Sequence, residues 1–178
     1  AECPSDHIAI QATVTLNDYI TQHTFYVDPD GGDGDGTIMN PFNDLQKAIN
    51  ATTQNGDTIL VKAGKLIIAG SGKNATIKVT KSLTIIGGYN NDFSEVTGLT
   101  ELNGDLNGDD VYDNFTISNT SDNLYHLITV NNTCGLEIAN FNLHGASAPL
   151  TSFNGQGAAI YCPGYRLKVD NCWIHNNM

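Results

Sequence analysis

The stretch that decides the fold is Leu136-Glu-Ile-Ala-Asn-Phe-Asn-Leu-His-Gly145, which returns without a gap as Leu167-Lys-Val-Asp-Asn-Cys-Trp-Ile-His-Asn176. The two copies lie 31 residues apart and share Leu, Asn and His at equivalent positions. A repeat of this length is typical of stacked structural units. Each copy begins with alternating apolar and polar residues, which predicts a β-strand and not a helix.

One strand every 31 residues does not fit a hairpin, so we expect parallel strands stacked in register, one coil on the next. The inward-facing residues should be Leu136, Ile138, Leu143, Leu167, Val169 and Ile174. Asn140 and Asn171 follow the strand pattern at a corner, where asparagine tolerates a left-handed backbone and can bond the same amide one coil away. The alternative is an ordinary turn preference.

Composition and charge limit the possible partners. The chain has 178 residues, 18 of them glycine, which fits one turn-rich β domain. Its net charge of −11 argues against nucleic acid and anionic membranes as partners. No apolar run is long enough to insert into a membrane. The start, Ala1-Glu-Cys-Pro, is compatible with a mature end left by signal-peptide cleavage, which predicts an extracellular or cell-surface location.

A single domain is expected over residues 1–178. Residues 1–56 should form an N-terminal arm and cap, with an extended run at Ile8–Leu16 and a short helix near 41–53 opened by Asn40-Pro41. Residues 57–178 should form coils, interrupted by an irregular insertion at 90–123 of the kind that is usually functional or ion-bound. The last strand ends at the chain terminus, so we expect a longer parent protein or a covering chain.

Three segments carry a family resemblance: Phe25-Tyr-Val-Asp28, Gly56-Asp-Thr-Ile-Leu-Val-Lys-Ala-Gly64 and Leu83-Thr-Ile-Ile-Gly-Gly-Tyr89. They resemble the N-terminal end of bacterial right-handed parallel β-helix proteins of the pectin-lyase-like superfamily. Gly157-Ala-Ala-Ile160 and Trp173-Ile-His-Asn176 are similar to repeats of chlamydial polymorphic outer-membrane proteins. The resemblance implies an all-β, right-handed parallel β-helix from a bacterial secreted protein. Its function stays open, because the superfamily includes lyases, hydrolases, adhesins and stalks.

A calcium site is predicted in the insertion. Its expected ligands have the spacing of positions 1, 3, 5, 7 and 9 of an EF-hand-like loop, and they are Asp105, Asn107, Asp109, the Val111 carbonyl and Asp113. Position 12 is Thr116 where glutamate is usual, and position 6 is Asp110 where glycine is usual. The alternative is a solvated acidic turn.

Other candidate sites are weaker. The loop at residues 28–36 carries Asp28, Asp30, Asp33 and Asp35 and offers a second cation site or simply a flexible turn. His144 and His175 share a column one coil apart, where they can bind a metal or a sugar or serve as ordinary outward side chains. The aromatic residues Tyr161, Tyr165 and Trp173 are candidates for sugar-stacking faces, and the alternative, which we favour, is ordinary packing and surface aromatics.

Four cysteines, Cys3, Cys134, Cys162 and Cys172, lack metal-binding spacing. Cys172 aligns with Phe141, which predicts a packed core thiol. Cys134 and Cys162 precede adjacent coils, so a disulfide between them is one possibility. The pairing of Cys3 is left open.

Catalysis is not favoured, because the one arginine, Arg166, and the lysines show no telling spacing from the acidic cluster. Asp170 has Ala139 as its equivalent and so lacks a carboxylate partner in its column. We therefore expect a non-catalytic, calcium-stabilised, secreted or surface-displayed β-helix for adhesion, with a surface glycan or cell-surface protein as its partner. The alternatives are an N-terminal fragment of a polysaccharide lyase or glycoside hydrolase, and a carbohydrate-binding module.

Overall fold

The computed structural model describes residues 21–70, 72–113, 116–149, 157–164 and 166–178. The expected strand at 8–16, Cys3 and Tyr165 lie outside these residues. Within them, β-strands predominate and the single α-helix is α1 (Leu45–Ala51). The strands are β1 (Thr24–Val27), β2 (Thr58–Lys62), β3 (Gly64–Leu66), β4 (Ile77–Val79), β5 (Leu83–Tyr89), β6 (Thr100–Asn103), β7 (Val111–Asp113), β8 (Thr116–Ser118), β9 (Ile128–Val130), β10 (Gly135–Ala139), β11 (Phe141–His144), β12 (Ile160–Tyr161), β13 (Arg166–Asp170) and β14 (Trp173–Ile174).

Three parallel sheets organise these strands. The first has the order β1-β2-β5-β10-β13, the second β3-β6-β11-β14 and the third β4-β9-β12. From β2 onward, the chain contributes a strand to the first, second and third sheets in turn and then returns to the first. The hairpin of β7 and β8 is antiparallel and lies outside this order. The fold is mostly β and is built on parallel pairing, as the repeat predicts.

The two copies of the repeat pair with each other in register. In the first sheet Leu136 is opposite Leu167 and Ile138 is opposite Val169. In the second sheet Leu143 is opposite Ile174. The predicted parallel pairing at an offset of 31 residues is therefore confirmed.

Burial differs between the two copies. Leu136, Ile138 and Leu143 are buried in the core, as predicted. Their counterparts are partly open to solvent, with exposed fractions of 42% at Leu167, 40% at Val169 and 45% at Ile174. This exposure does not contradict the predicted inward orientation, because the register places these side chains opposite the buried residues of the first copy. Among the described residues, β13 and β14 are the last strands of their sheets, so one side of each apolar side chain has no neighbouring strand.

The helix begins later than the sequence indicates. Asp44, and not Asn40, is its N-cap, and the Asp44 carboxylate accepts the amides of Gln46 at 2.6 Å and Lys47 at 3.3 Å. Phe42 instead exchanges backbone hydrogen bonds with β1, donating its amide to the Tyr26 carbonyl at 3.0 Å. The prediction of a helix starting at Asn40-Pro41 is wrong, because the backbone of Phe42 is already hydrogen-bonded to β1 in the manner of a strand.

Helix α1 covers one edge of the third sheet. Leu45, Ala48 and Ile49 are buried on its inner face. The Gln46 side chain makes the two hydrogen bonds that the backbone of a neighbouring strand would make. Its Oε1 accepts the Lys78 amide at 2.7 Å, and its Nε2 donates to the Lys78 carbonyl at 3.1 Å. Lys78 belongs to β4, an edge strand, so the carboxamide satisfies backbone groups that would otherwise be free to pair with another chain.

Candidate functional site

The acidic loop of the insertion lies where the chain leaves β6 and where it later comes back to the core. Asp105 starts the outgoing segment. The Leu124 amide of the returning segment donates to the Gly104 carbonyl at 2.8 Å, and the Leu124 side chain is buried. The two ends of the excursion therefore lie side by side, and we call residues 104–110 and 122–124 together the neck.

Three carboxylates converge in the neck. Asp105, Asp109 and Asp110 each have a carboxylate oxygen within 4.8 Å of the others. Asp105 shapes the loop, because its Oδ1 accepts the Gly108 amide at 2.7 Å and its Oδ2 accepts the Asp110 amide at 3.3 Å. Gly108 has a φ of 76°, a left-handed conformation that glycine adopts without steric cost. The tight turn brings Asp110 back towards Asp105.

The predicted ligand set is brought together only in part. Asp105 and Asp109 belong to the cluster. Asn107 stabilises the same turn, since its Oδ1 accepts the Asp109 amide at 2.9 Å. Val111 and Asp113 lie on β7, an exposed strand that pairs with β8, and the Asp113 carboxylate lies outside the cluster.

Sequence reasoning missed three neck residues, namely Asp110, Asp122 and Asn123. The Asn123 Nδ2 donates to the Asp110 Oδ2 at 2.8 Å, and the Asn107 amide donates to the Asp122 Oδ2 at 3.1 Å. A signal for Asp110 was present, since it replaced the expected loop glycine. No sequence signal pointed to Asp122 or Asn123, because only the return of the chain places them beside residues 105–110.

Each of the three missed residues holds an oxygen that has no partner. The Oδ1 atoms of Asp110, Asp122 and Asn123 are inaccessible to solvent and make no hydrogen bond within the described chain. Asn123 is 1% exposed as a whole. A buried oxygen without a donor costs about 1–3 kcal/mol, so three in one place need a physical explanation.

Electrostatics in the neck disfavour additional negative charge. The pKa of Asp110 lies above its ordinary value, first because of burial and further because of the nearby charges of Asp105 and Asp122. Burial and the charges of Asp110 and Asp105 likewise raise the pKa of Tyr112. None of the ion pairs formed by the described residues involves an acidic side chain of the neck. The donor set consists of carboxylate and amide oxygens, which are ligands for hard cations.

The acidic loop at 28–36 is arranged differently, because three of its four carboxylates have separate partners. Asp28 pairs with the Lys62 ammonium at 2.6 Å, and Asp33 pairs with Lys47 at 2.7 Å. Asp35 accepts the amide and hydroxyl of Thr37, and these hydrogen bonds lower its pKa. Among the described residues, this loop does not gather its carboxylates into a group able to hold a metal.

The outer face of the second sheet carries a column of rings. His144 and His175 stack with ring centroids 5.1 Å apart and planes 10° from parallel. Trp173 contacts His175 at 4.1 Å between centroids and is 60% exposed. The Nε2 of His144 lies 3.5 Å from Glu101, whereas the Nε2 of His175 lies 2.9 Å from the Asn142 side-chain oxygen. These two nitrogens therefore have different partners and do not converge on one point.

Within the ring column, His175 has a low tendency to gain a proton. Burial lowers the pKa of His175, and the neighbouring His144 lowers it further. A neutral His175 beside an exposed indole forms a flat, weakly charged surface. Tyr161, the other predicted sugar-stacking residue in the described chain, is half-buried and stacks on His126 with centroids 5.3 Å apart.

The described cysteines are free thiols. Cys134 is buried, while Cys162 and Cys172 are partly buried, and none forms a disulfide. The possible Cys134–Cys162 bridge is therefore not formed. Cys172 packs against the core as predicted, and burial raises the pKa of its thiol, which makes it a poor nucleophile.

Basic side chains near the repeat are already paired. Arg166 and Lys168 both contact the Glu137 carboxylate, at 2.6 Å and 3.4 Å. Asp170 lies opposite Ala139, as the repeat predicts, so its column offers no second carboxylate at that position.

No helix in the described part of the chain has the length and apolar character needed to span a membrane. Comparison of the sequence with protein-family models and with curated proteins, and of the structure with solved structures, gives no significant match.

Proposed function

We propose that the chain forms a right-handed parallel β-helix, with α1 at one end, that acts as a non-catalytic scaffold for display or adhesion at a bacterial cell surface. The observation that carries this proposal is the repeated order of the three parallel sheets, each of which gains one strand per circuit. Right-handed crossovers are nearly universal for parallel strands in one sheet, and they supply the handedness. The resemblance of residues 25–28, 56–64 and 83–89 to pectin-lyase-like proteins points the same way.

The geometry favours a scaffold over an enzyme. A stack of coils offers outward columns of side chains at about 4.8 Å spacing, a regular surface for binding an extended partner. Catalysis by a lyase needs a free base beside its acidic groups. Arg166 and Lys168 are instead bound to Glu137, on the first sheet. The expected result is that the chain releases no unsaturated products from pectate or alginate and no sugars from chitin.

That expectation is tested by following ultraviolet absorbance and reducing ends after mixing the purified chain with each polysaccharide. Turnover that is lost on substitution of a lysine or of Arg166 would establish the rival enzyme function. Surface display is tested separately, on intact cells that produce the protein. External protease should remove the epitope of this domain without lysis, whereas protection from the protease would contradict surface display.

Carbohydrate binding is a second candidate, favoured by the ring column. Trp173 exposes most of its indole next to the stacked His144 and His175, an arrangement able to stack on a sugar ring. A glycan array with the wild-type chain and Trp173→Ala tests it. Met39→Ala is a matched control, because Met39 is 89% exposed and lies in the turn before α1. Binding lost only in Trp173→Ala supports a carbohydrate-binding role, and equal signals from all three proteins contradict it.

A further inference from the structure

The neck joins two segments that are distant in sequence through very few bonds. The Asn123 side chain contacts the Asp110 carboxylate, and the Asn107 amide contacts Asp122. The strands β7 and β8, which are mostly exposed, lie between these contacts, and the Asn119 side chain adds a bond to the Asp109 carbonyl at 3.0 Å. A cluster of carboxylates that repel one another therefore lies where the excursion meets the core.

The unpartnered oxygens identify what is missing from this cluster. Asn123 is almost completely buried, its Nδ2 is bound to Asp110, and its Oδ1 is left without a donor. The Oδ1 atoms of Asp110 and Asp122 are also buried and also lack a hydrogen-bond donor within the described chain. All three atoms are acceptors, so a neutral hydrogen-bond partner would have to supply several donors at once. A cation satisfies several oxygen acceptors with one ion.

The charge balance favours a cation of more than one charge. Asp105, Asp109 and Asp110 each have a carboxylate oxygen within 4.8 Å of the others, and Asp122 lies outside this group of three but close enough for its charge to act on Asp110. None of the four pairs with a basic side chain in the described chain. Carboxylates held this close destabilise one another unless a positive charge lies between them. A divalent ion supplies that charge within the space of one atom.

We propose that a calcium ion binds in the neck and fastens the two ends of the excursion together, with side-chain oxygens from Asp105, Asp109, Asp110, Asp122 and Asn123 as its ligands. Calcium accepts six to eight oxygen ligands at about 2.3–2.6 Å in flexible geometry, which suits carboxylates and an amide from two loop segments. Magnesium demands a nearly ideal octahedron and keeps several waters, which suits such a set less well. This ligand set differs from the EF-hand-like spacing, because it omits Asp113 and uses residues from the returning segment. The inference does not depend on the display function.

The first test is titration of the chelator-treated chain with CaCl2 and with MgCl2 by isothermal titration calorimetry, together with thermal melts in each ion. We expect one calcium per chain and a melting temperature that rises with calcium concentration, because binding to the folded state alone stabilises it. Magnesium at the same concentration should have a much smaller effect. Absence of calcium binding, or an equal response to magnesium, would overturn the proposal.

The second test locates the ion with charge-matched variants. Asp110→Asn and Asp122→Asn should each weaken calcium binding by roughly tenfold or more, since even residues that only support metal ligands have effects of this size. Asp113→Asn removes the same charge three residues from Asp110, on the exposed hairpin, and should bind calcium like the wild type. Loss of binding in Asp113→Asn with retention in Asp110→Asn would overturn this ligand set in favour of the EF-hand-like spacing.

A third measurement separates metal binding from a general folding defect. In chelator, Asp110→Asn should melt at a higher temperature than the wild type, because it removes one of the repelling charges and adds a donor for an unpartnered oxygen. With calcium the order should reverse. A variant that melts lower than the wild type under both conditions would show a structural role for Asp110 without a metal. Asp122→Asn provides an independent repeat of the same comparison.

Discussion

Asn140 and Asn171 show at the scale of single residues how the repeat turns its corner. Both have left-handed backbones, with φ values of 61° and 45°. The Asn171 Nδ2 donates to the Asn140 Oδ1 at 2.6 Å, so the same side chain bonds its counterpart one circuit away. The predicted asparagine ladder is therefore confirmed. Its two functions, tolerance of positive φ and amide pairing, can be separated by mutation.

Asn140→Ala should destabilise the fold by about 2 kcal/mol, because alanine is strained in the left-handed conformation and the side-chain hydrogen bond to Asn171 is lost. Asn140→Gly keeps the conformation accessible and should cost only about 1 kcal/mol, the value of the amide bond. Urea unfolding monitored by circular dichroism measures both. Equal losses in the two variants would contradict the strain at this corner.

Asp57 is a second residue whose environment makes a prediction. It is buried, and its carboxylate accepts the amides of His23 and Thr53 at 2.9 Å and that of Gln54 at 3.3 Å. Burial alone would raise the pKa of Asp57, but these hydrogen bonds outweigh it and hold the pKa below its ordinary value of 3.8. The ionised carboxylate thus ties the beginning of β1 to the end of α1 and to β2.

The depressed pKa fixes the sign of the pH effect. The stabilisation by Asp57 should be fully present above about pH 4, the unfolded-state value, and be lost as pH falls through the lower folded-state pKa. Asp57→Asn should be less stable than the wild type at pH 7, and the difference should shrink below pH 4. Urea midpoints measured from pH 7 to pH 2 for both proteins test this. A constant difference across that range would be incompatible with the argument.

At the scale of elements, β10 and β13 carry the same sequence pattern but are buried to different extents. Their leucines occupy the same position of the repeat, but Leu136 is buried between β5 and β13 whereas Leu167 has a neighbour on one side only. The same sequence pattern therefore stabilises the fold to different extents. Leu167 should therefore contribute less to stability than Leu136 does.

Leu136→Ala should cost about 2–5 kcal/mol, the range for a buried leucine that leaves a cavity. Leu167→Ala should cost less than about 1.5 kcal/mol, because the side chain is 42% exposed and little cavity forms. Equilibrium unfolding in dilute solution compares the two. A cost at Leu167 equal to that at Leu136 would show that another chain covers β13.

At the scale of the whole molecule, the two ends of the stack differ. Helix α1 lies beside β1, β2 and β4 and occupies the open backbone of β4 through Gln46. At the other end, β13 and β14 are edge strands among the described residues, and the side chains of Leu167, Val169 and Ile174 are half exposed. Open edges of this kind are sites for association with another chain or a further coil.

The isolated chain should therefore associate through β13 and β14 as its concentration rises, giving an increasing mass by light scattering. Ile174→Glu should keep it monomeric, because a charge at the centre of the contact would be buried without a partner. Ile67→Glu is the matched control, since Ile67 is 81% exposed next to β3 and should not change the association. A wild-type chain that remains monomeric at millimolar concentration would contradict the prediction.

The sequence by itself determined the periodic part of this protein. The 31-residue offset, the inward leucines of β10 and β11, and the corner asparagines follow from spacing and from residue conformational preference, which are local properties. The start of the acidic cluster, Asp105 and Asp109, was also evident from spacing within one loop. The position of α1 was only approximate, because a backbone bridge from Phe42 to β1 competes with the local helix signal.

Tertiary structure decided which charges meet. Asp28 and Asp33 pair with different lysines and do not share a site, although their spacing in the sequence resembles that of a cation-binding loop. Tertiary structure brought Asp122 and Asn123 back to Asp110, a contact made by the return of the chain and not by any local pattern. It also left the second copy of the repeat half exposed, since burial depends on whether a further strand follows in space. Local preference specifies conformation, whereas the pairing of charges and the covering of apolar faces depend on distant segments.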